Sequence, residues 1–265
     1  MARNSKNTIN PELAENNGWL ITIELLRSRR APGNTCISAL AATTTLGEPA
    51  NNDSKGCGTV MRVAPIGLLY DDELAYRMGR QTSALTHGHP TASTAAGALC
   101  VIISQLRKEV PLDQAVKLAL AITKDDEIKQ CMANETSQAI DKAISFAQGS
   151  EAPRPELIET LGAGWIAEEA LAISIYCALV ARNFAHGVLL AVNHSGDSDS
   201  TGAITGNLLG IIYGQKGIPQ HLQEQVELRE VLEQIAFDLV DIPHNFYLDG
   251  NDEYHTQIFQ RYPGS

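Results

Sequence analysis

Positive charge is scarce in this 265-residue chain: 20 Lys and Arg stand against 31 Asp and Glu, a formal net charge of −11. A basic footprint for sequence-independent nucleic-acid binding is therefore missing, and so is one for an anionic membrane surface. A cation, or the cationic part of a substrate, remains compatible. Paired cysteines are missing too. The five cysteines (Cys36, Cys57, Cys100, Cys131 and Cys177) form no CxxC motif and are odd in number. Most lie in apolar surroundings, so a reducing cytoplasm is the simplest reading. The first 18 residues have no apolar core of the kind a signal peptide needs, and no apolar run is long enough to span a bilayer. Alternating strand patterns, hairpin turns, low-complexity segments and fixed repeats are also absent.

What is present is helical. Hydrophobic residues make up 44% of the chain and charged residues 19%, as in ordinary globular proteins. The pattern predicts a loose segment over 1–17, one all-helical domain over 18–243, and a tail over 244–265. Within it, helices are expected over 19–30, 34–44, the apolar stretch 60–70, 71–85 with Asp71 and Asp72 as caps, and 91–107. The last is nearly all small or apolar, so burial on most sides is expected. Further helices open at Pro111 and Asp113 and run over 125–147, 165–181 and 184–192. From Ser200 a helix carries Gly202, Gly206, Gly210 and Gly214, every fourth residue, which predicts a smooth groove for close packing. Pro219 restarts the chain, and a last amphipathic helix covers 227–240.

The chemistry concentrates in loops. The run Asp197-Ser198-Asp199-Ser200-Thr201-Gly202 offers two carboxylates and hydroxyls in a tight turn. Hard oxygens of this kind suit Mg²⁺, Mn²⁺ or Ca²⁺ better than zinc. An EF-hand is excluded, because Leu208 stands where a bidentate Glu is needed. Plain helix capping by Asp199 or Ser200 is the competing reading. The segment Ser54-Lys55-Gly56-Cys57-Gly58 can present backbone N–H groups to phosphate oxygens, or be an ordinary turn. His87, in Thr86-His87-Gly88-His89-Pro90, can face a ligand ring or cap a helix end. One of Glu168 and Glu169 faces a cavity, or both sit in an exposed first turn. His194 is a supporting partner or a loop residue, and Cys57 has no matched base to make it a nucleophile.

Four stretches taken together resemble the ADP-ribosylglycohydrolase family, whose founding type is the dinitrogenase reductase-activating glycohydrolase. They are SKGCGTVMRVAP from Ser54, LTHGHP from Leu85, GWIAEEAL from Gly164 and NHSGDSDSTG from Asn193, in family order. The resemblance implies an all-α orthogonal helical bundle that binds two Mg²⁺ or Mn²⁺ ions beside ADP-ribose. It implies metal-assisted hydrolysis of an N- or O-glycosidic ADP-ribosyl bond in a modified protein or small molecule. Asp197, Asp199 and Ser200 would be metal ligands, with Asp197 or Asp199 helping as a base. Ser54, Lys55, Gly56, Cys57 and Gly58 would hold the diphosphate and ribose, and His87 would lie against the distal ribose or ring. The family's N-terminal Gly-Asp-rich segment and its Thr-Asp-Asp motif do not occur in this sequence. Lys124-Asp125-Asp126 comes too late to replace the motif. The chain thus looks like a member lacking its first ~70 residues, about half a small domain. Asp53 or Glu48 as substitute ligands would keep it active. Otherwise it would be a chain that at most binds ADP-ribose, or a helical interaction protein.

Overall fold

The stretch 90–107 carries no charge before Arg107, and in the computed structural model of the chain every residue from Thr91 to Leu106 is buried. The structure describes residues 18–45, 47–245 and 252–263. Its helices are α1 (Trp19–Thr22), α2 (Asn34–Ala42), α3 (Ala64–Leu69), α4 (Asp72–Ala84), α5 (Pro90–Arg107), α6 (Leu112–Lys129) and α7 (Glu135–Gln148). They continue as α8 (Pro155–Glu159), α9 (Ala167–Leu179), α10 (Phe184–Val192), α11 (Ser198–Gly217), α12 (Gln220–Gln225), α13 (Arg229–Asn245) and α14 (Asp252–Arg261). There is no strand among the described residues, so the expected all-α class holds. No helix among them is long and apolar enough to cross a membrane.

Two compact units form, one from 47–227 and one from 1–46 with 228–265. In the larger unit α5 is the hub, packed by α3, α4, α6, α9 and α11, while α9 also packs on α7, α10 and α11. Leu99, Ile102 and Ile103 of α5 meet the core that Leu171, Ile175, Ile204 and Leu208 complete. Each such side chain contributes about 1.5–3 kcal/mol of burial. This core fixes the ends of α5, α9 and α11, from which the site loops spring. The smaller unit has few buried apolar residues, Ala39 and Ile258 among those described. There α13 and α14 are tied by the buried Asp238, which accepts two hydrogen bonds from Arg261 (2.7 and 2.6 Å) and one from Tyr262 (2.7 Å).

Several local expectations change. The helix expected over 19–30 breaks at Ile23, whose backbone is extended, and only a 3₁₀ turn follows over Glu24–Arg27. Arg27 explains the early stop: its guanidinium donates to the carbonyls of Ile21 and Thr22, which a continuing helix would have used. The helix expected over 125–147 is two, α6 and α7, parted by a turn with Cys131 at φ 52°. The buried Glu127 draws this turn together by accepting from the Ser137 N–H (3.3 Å). Neither Asp71 nor Asp72 caps α4 through its side chain. Asp71 pairs with Arg107 and Lys108 instead, and the Asp72 carboxylate takes hydrogen bonds from Gln105, Lys108 and Ser104.

The glycine row of α11 also differs. A Cβ at Gly202 would meet Val192, but Gly206 and Gly210 have nothing within 4 Å. Gly214, at φ 62°, kinks the helix. Among the described residues, only the Gly202 end of the expected groove is packed. The tail contains α14, and the rest of 244–265, like 1–17, lies wholly or partly outside the described residues.

Candidate active site

Three loops of the larger unit meet at the ends of α4, α9 and α11. The first runs from Ala50 to Gly58. Asn52 ties it down: its amide Nδ2 donates to Thr86 O (2.9 Å), and its Oδ1 accepts from the N–H groups of Ser54 (3.0 Å) and Gly88 (3.0 Å). Ala50 N–H donates to Ala84 O (2.8 Å). This closeness needs Gly88, because a Cβ there would sit 1.9 Å from Asn52 O. Asn52 carried no signal of its own in the sequence, where it is one Asn in a polar run.

The loop's far end is clamped to the entry of α9. Gly56 bridges Ile166. Cys57 N–H donates to Trp165 O (3.0 Å), and Ala167 N–H donates to Lys55 O (2.8 Å). The Lys55 ammonium meets Glu168 Oε1 at 2.6 Å and Glu135 Oε2 at 3.0 Å. Burial alone would lower the Lys55 pKa, but the hydrogen bonds to the two carboxylates outweigh it and raise it. Glu135 also accepts from the Thr91 hydroxyl (2.6 Å), which holds its carboxyl below the usual range. Neither glutamate of the 168–169 pair is an idle exposed residue of the first helical turn. Glu168 is buried against Lys55, and Glu169 Oε2 accepts from the Ala163 (2.9 Å) and Gly164 (3.1 Å) N–H groups.

His87 is buried at the end of α4, with Nδ1 2.8 Å from the Thr86 hydroxyl. Its Nε2 lies 3.2 Å from where a Gly56 Cβ would stand, so ring and glycine face each other. Burial, then the neighbouring Arg62, pushes its pKa down to about 4. His87 is thus neutral at pH 7. His89 opens α5 instead, its Nδ1 accepting from Thr91 N–H (3.1 Å).

The acidic loop closes the site. Asp197 N–H donates to Ala163 O (2.7 Å), an approach only Gly196 permits, since a Cβ there would fall 1.9 Å from that same oxygen. Asp197 is buried and Asp199 exposed. Asp197 Oδ2 accepts from the Ser200 hydroxyl (2.9 Å) and from the Cys57 thiol (2.9 Å). That thiol joins the first loop to the third. Burial, then its bond to Asp197, pushes the Cys57 pKa up to about 12, so it is a donor and not a nucleophile. A hydrogen bond shared with Asp197, together with burial, raises the Asp199 carboxyl. Among the described residues neither carboxylate has a Lys or Arg ion-pair partner. No side-chain cap bond comes from Asp197 at the start of α11. Thr201 supports the loop, donating to Ala191 O (2.7 Å) and meeting His194 Nε2 at 3.0 Å.

Two uncompensated carboxylates and a hydroxyl are an oxygen set suited to one hard divalent ion, which commonly takes one or two carboxylates and keeps waters. They fall short of a set for two ions. Among the described residues no group of three or more His, Cys, Asp or Glu side chains is placed to hold a metal. The substitutes Asp53 and Glu48, both exposed, therefore do not join Asp197 and Asp199 in such a group. Asp125 and Asp126 are engaged elsewhere, along a concavity of about 480 Å³ between α4 and α6. There Asp126 pairs with Arg80 (2.7 Å) and Asp125 with Lys129 (2.6 Å).

One residue at the rim had no assigned role: Trp165, which is 62% exposed beside the clamped loop. Its place in the Gly164–Leu171 stretch is the signal that marked it.

Comparisons with known proteins identify the family. The family described as ADP-ribosylglycohydrolase matches residues 3–246. A protein of Archaeoglobus fulgidus without an assigned function is 30% identical over 71% of this chain and 59% of its own. The ADP-ribosylarginine hydrolase Tri1 of Pseudomonas putida is 27% identical over 38% of this chain and 30% of its own. The ADP-ribosylhydrolase ARH3 of Gallus gallus is 23% identical over 71% and 58%. A solved ADP-ribosylglycohydrolase-related protein complex superposes with a TM-score of 0.62 at 25% identity, over 78% of this chain and 68% of the solved one. The chain thus spans less than two thirds of the length of these three relatives. With four motif stretches folded into one site and a family match along nearly its whole length, this chain belongs to the ADP-ribosylglycohydrolase family.

Proposed function

We propose that this chain binds ADP-ribose where the three loops meet and hydrolyses an ADP-ribosyl bond there, releasing ADP-ribose from a modified protein or small molecule. The observation that carries this reading is the Cys57–Asp197 hydrogen bond, which sets the acidic loop directly against the glycine loop. Gly56, Gly58 and the hydroxyl of Ser54 are assigned to the diphosphate and ribose. The neutral His87 ring lines the same side without adding charge, and the exposed Trp165 indole offers a flat face for a ring. One Mg²⁺ or Mn²⁺ held by Asp197, Asp199 and Ser200 supplies, when bound, a lowered pKa for water and positive charge beside the ribose oxygens. Asp197 is fixed by two donors and orients the pair. Asp199, the solvent-facing member with the raised carboxyl, is assigned to take the proton of the attacking water at its carboxylate. The water oxygen then bonds to ribose C1″, the glycosidic bond breaks, and the leaving group departs with the proton that Asp199 took from the water.

A second reading is that the chain binds ADP-ribose without turnover. The small number of metal-ligating side chains near Asp197 favours it. Incubating the protein with arginine-linked and with O-linked ADP-ribosyl peptides, in Mg²⁺ and in EDTA, separates the two. Release of ADP-ribose in Mg²⁺ alone supports hydrolysis. Binding without release in either condition supports the second reading, and neither binding nor release rejects both.

A further inference from the structure

Lys55 sits in the stretch assigned to the diphosphate, yet its ammonium is spent on protein carboxylates. Glu168 Oε1 lies at 2.6 Å and Glu135 Oε2 at 3.0 Å, and the Thr91 hydroxyl braces Glu135 at 2.6 Å. Glu168 is 7% exposed, and its other oxygen, Oε2, is buried with no hydrogen-bond partner, so this carboxylate depends on Lys55 for its compensation. Two carboxylates and one ammonium leave the cluster with a formal charge of −1. Such a cluster cannot neutralise a diphosphate.

What it can do is hold backbone. Lys55 belongs to the loop, Thr91 to the first turn of α5 after the His87–His89 turn, Glu135 to the first turn of α7, and Glu168 to the first turn of α9. The ion pair stands beside the two backbone hydrogen bonds that join 55–57 to 165–167. Those bonds place Gly56 opposite the His87 ring, at the tight separation described above.

We propose that Lys55 is a positioning residue: its ion pair with Glu168, braced by Glu135 and Thr91, locks the 54–58 loop onto the start of α9 and holds Gly56 against the His87 ring, which together form one wall of the site that receives ADP-ribose. This rests on the ADP-ribose reading of the site, but the lock itself is measurable without ligand.

The experiment compares the full chain with its Lys55→Met, Glu168→Gln, Lys55→Arg and doubly substituted Lys55→Met/Glu168→Gln forms. Two readouts are used, amide hydrogen exchange at Cys57 and Ala167 and calorimetric affinity for ADP-ribose. Lys55→Met and Glu168→Gln should each speed exchange at both amides roughly tenfold and weaken ADP-ribose by a similar factor. The double form should be no worse than either single form, and Lys55→Arg should restore most of both readouts. Amides in the middle of α5 report folding and should not change. If Lys55→Met melts below the assay temperature, Glu168→Gln and Lys55→Arg carry the test.

Unchanged exchange in Glu168→Gln overturns the proposal whatever ADP-ribose does. A loss of affinity in Lys55→Met with none in Glu168→Gln also overturns it, and assigns Lys55 to direct phosphate contact. Faster exchange in a protein that binds no ADP-ribose even as wild type keeps the lock and discards the ligand reading of the site.

Discussion

The glycine loop and the acidic loop touch through the Cys57 thiol, which reaches Asp197 and Ser200, but they are held in different ways. The loop from Ala50 to Gly58 is fastened at both ends: Asn52 binds it to the 84–88 turn, and the Lys55 cluster fastens it to α9. Its polar groups are largely answered by protein. The acidic loop is fastened through backbone, by Asp197 N–H on Ala163 O, while its two carboxylates stand together without a cationic side chain among the described residues. A region whose charges are already compensated is a rigid receptor. A region whose charges repel is waiting for a counterion. Under the proposed function, the first loop is the receptor for ADP-ribose and the second the seat of a cation.

The largest effect that would break this comparison comes from backbone closeness. Gly88→Ala and Gly196→Ala each force a methyl to within 1.9 Å of a carbonyl oxygen. Each should cost about 3 kcal/mol in urea unfolding. If only one of the two is costly, the loops are not equally dependent on close backbone approach. Glu169→Ala comes next. It strips the acceptor from the Ala163 and Gly164 N–H groups that seat the acidic loop. The expected loss is about 1–2 kcal/mol, read the same way.

Asp199→Asn sharpens the contrast further because its sign is opposite. Removing one of two adjacent carboxylates should stabilise the protein in EDTA by about 0.5 kcal/mol and abolish any rise in melting temperature on adding Mg²⁺. A stabilising Mg²⁺ shift that survives Asp199→Asn places the ion elsewhere.

The smallest effect is in pH. His87 has its folded pKa pushed down from 6.5 to about 4. Between those values the unfolded chain binds the proton and the folded chain does not, so stability falls as pH drops through that window. Wild type should lose more stability than His87→Gln between pH 7 and pH 4.5 in thermal melts. Equal slopes would mean that the ring is not held neutral.

Much of this was legible before the structure. The apolar run 91–107 had to be a buried helix, and the acidic stretch from Asp197 had to lead into another, although α11 begins at Ser198 and not at the expected Ser200, so that Asp199 and Ser200 stand in its first turn. The resemblance joined four distant stretches, and the fold brings them together. What could not be read was which side chain answers which. The Lys55–Glu168 pair spans 113 residues, and Asn52 reaches across 34 to Thr86. Periodicity carries no information about either distance. The break between α6 and α7 was hidden for a related reason, since the buried Glu127 that shapes it looks like one more charge in a charged helix. The glycine row of α11 had the right spacing for close packing, yet among the described residues nothing packs against Gly206 or Gly210. Spacing reveals a surface without revealing its occupant.

The central claim is that a rigid ADP-ribose receptor stands beside a cation-seeking acidic pair. Calorimetry of ADP-ribose binding to the wild type and to Asp197→Asn, each in EDTA and in Mg²⁺, tests it most directly. The account predicts binding in EDTA, tighter binding to the wild type in Mg²⁺, and no Mg²⁺ effect in Asp197→Asn. No binding heat from the wild type in either condition would contradict it.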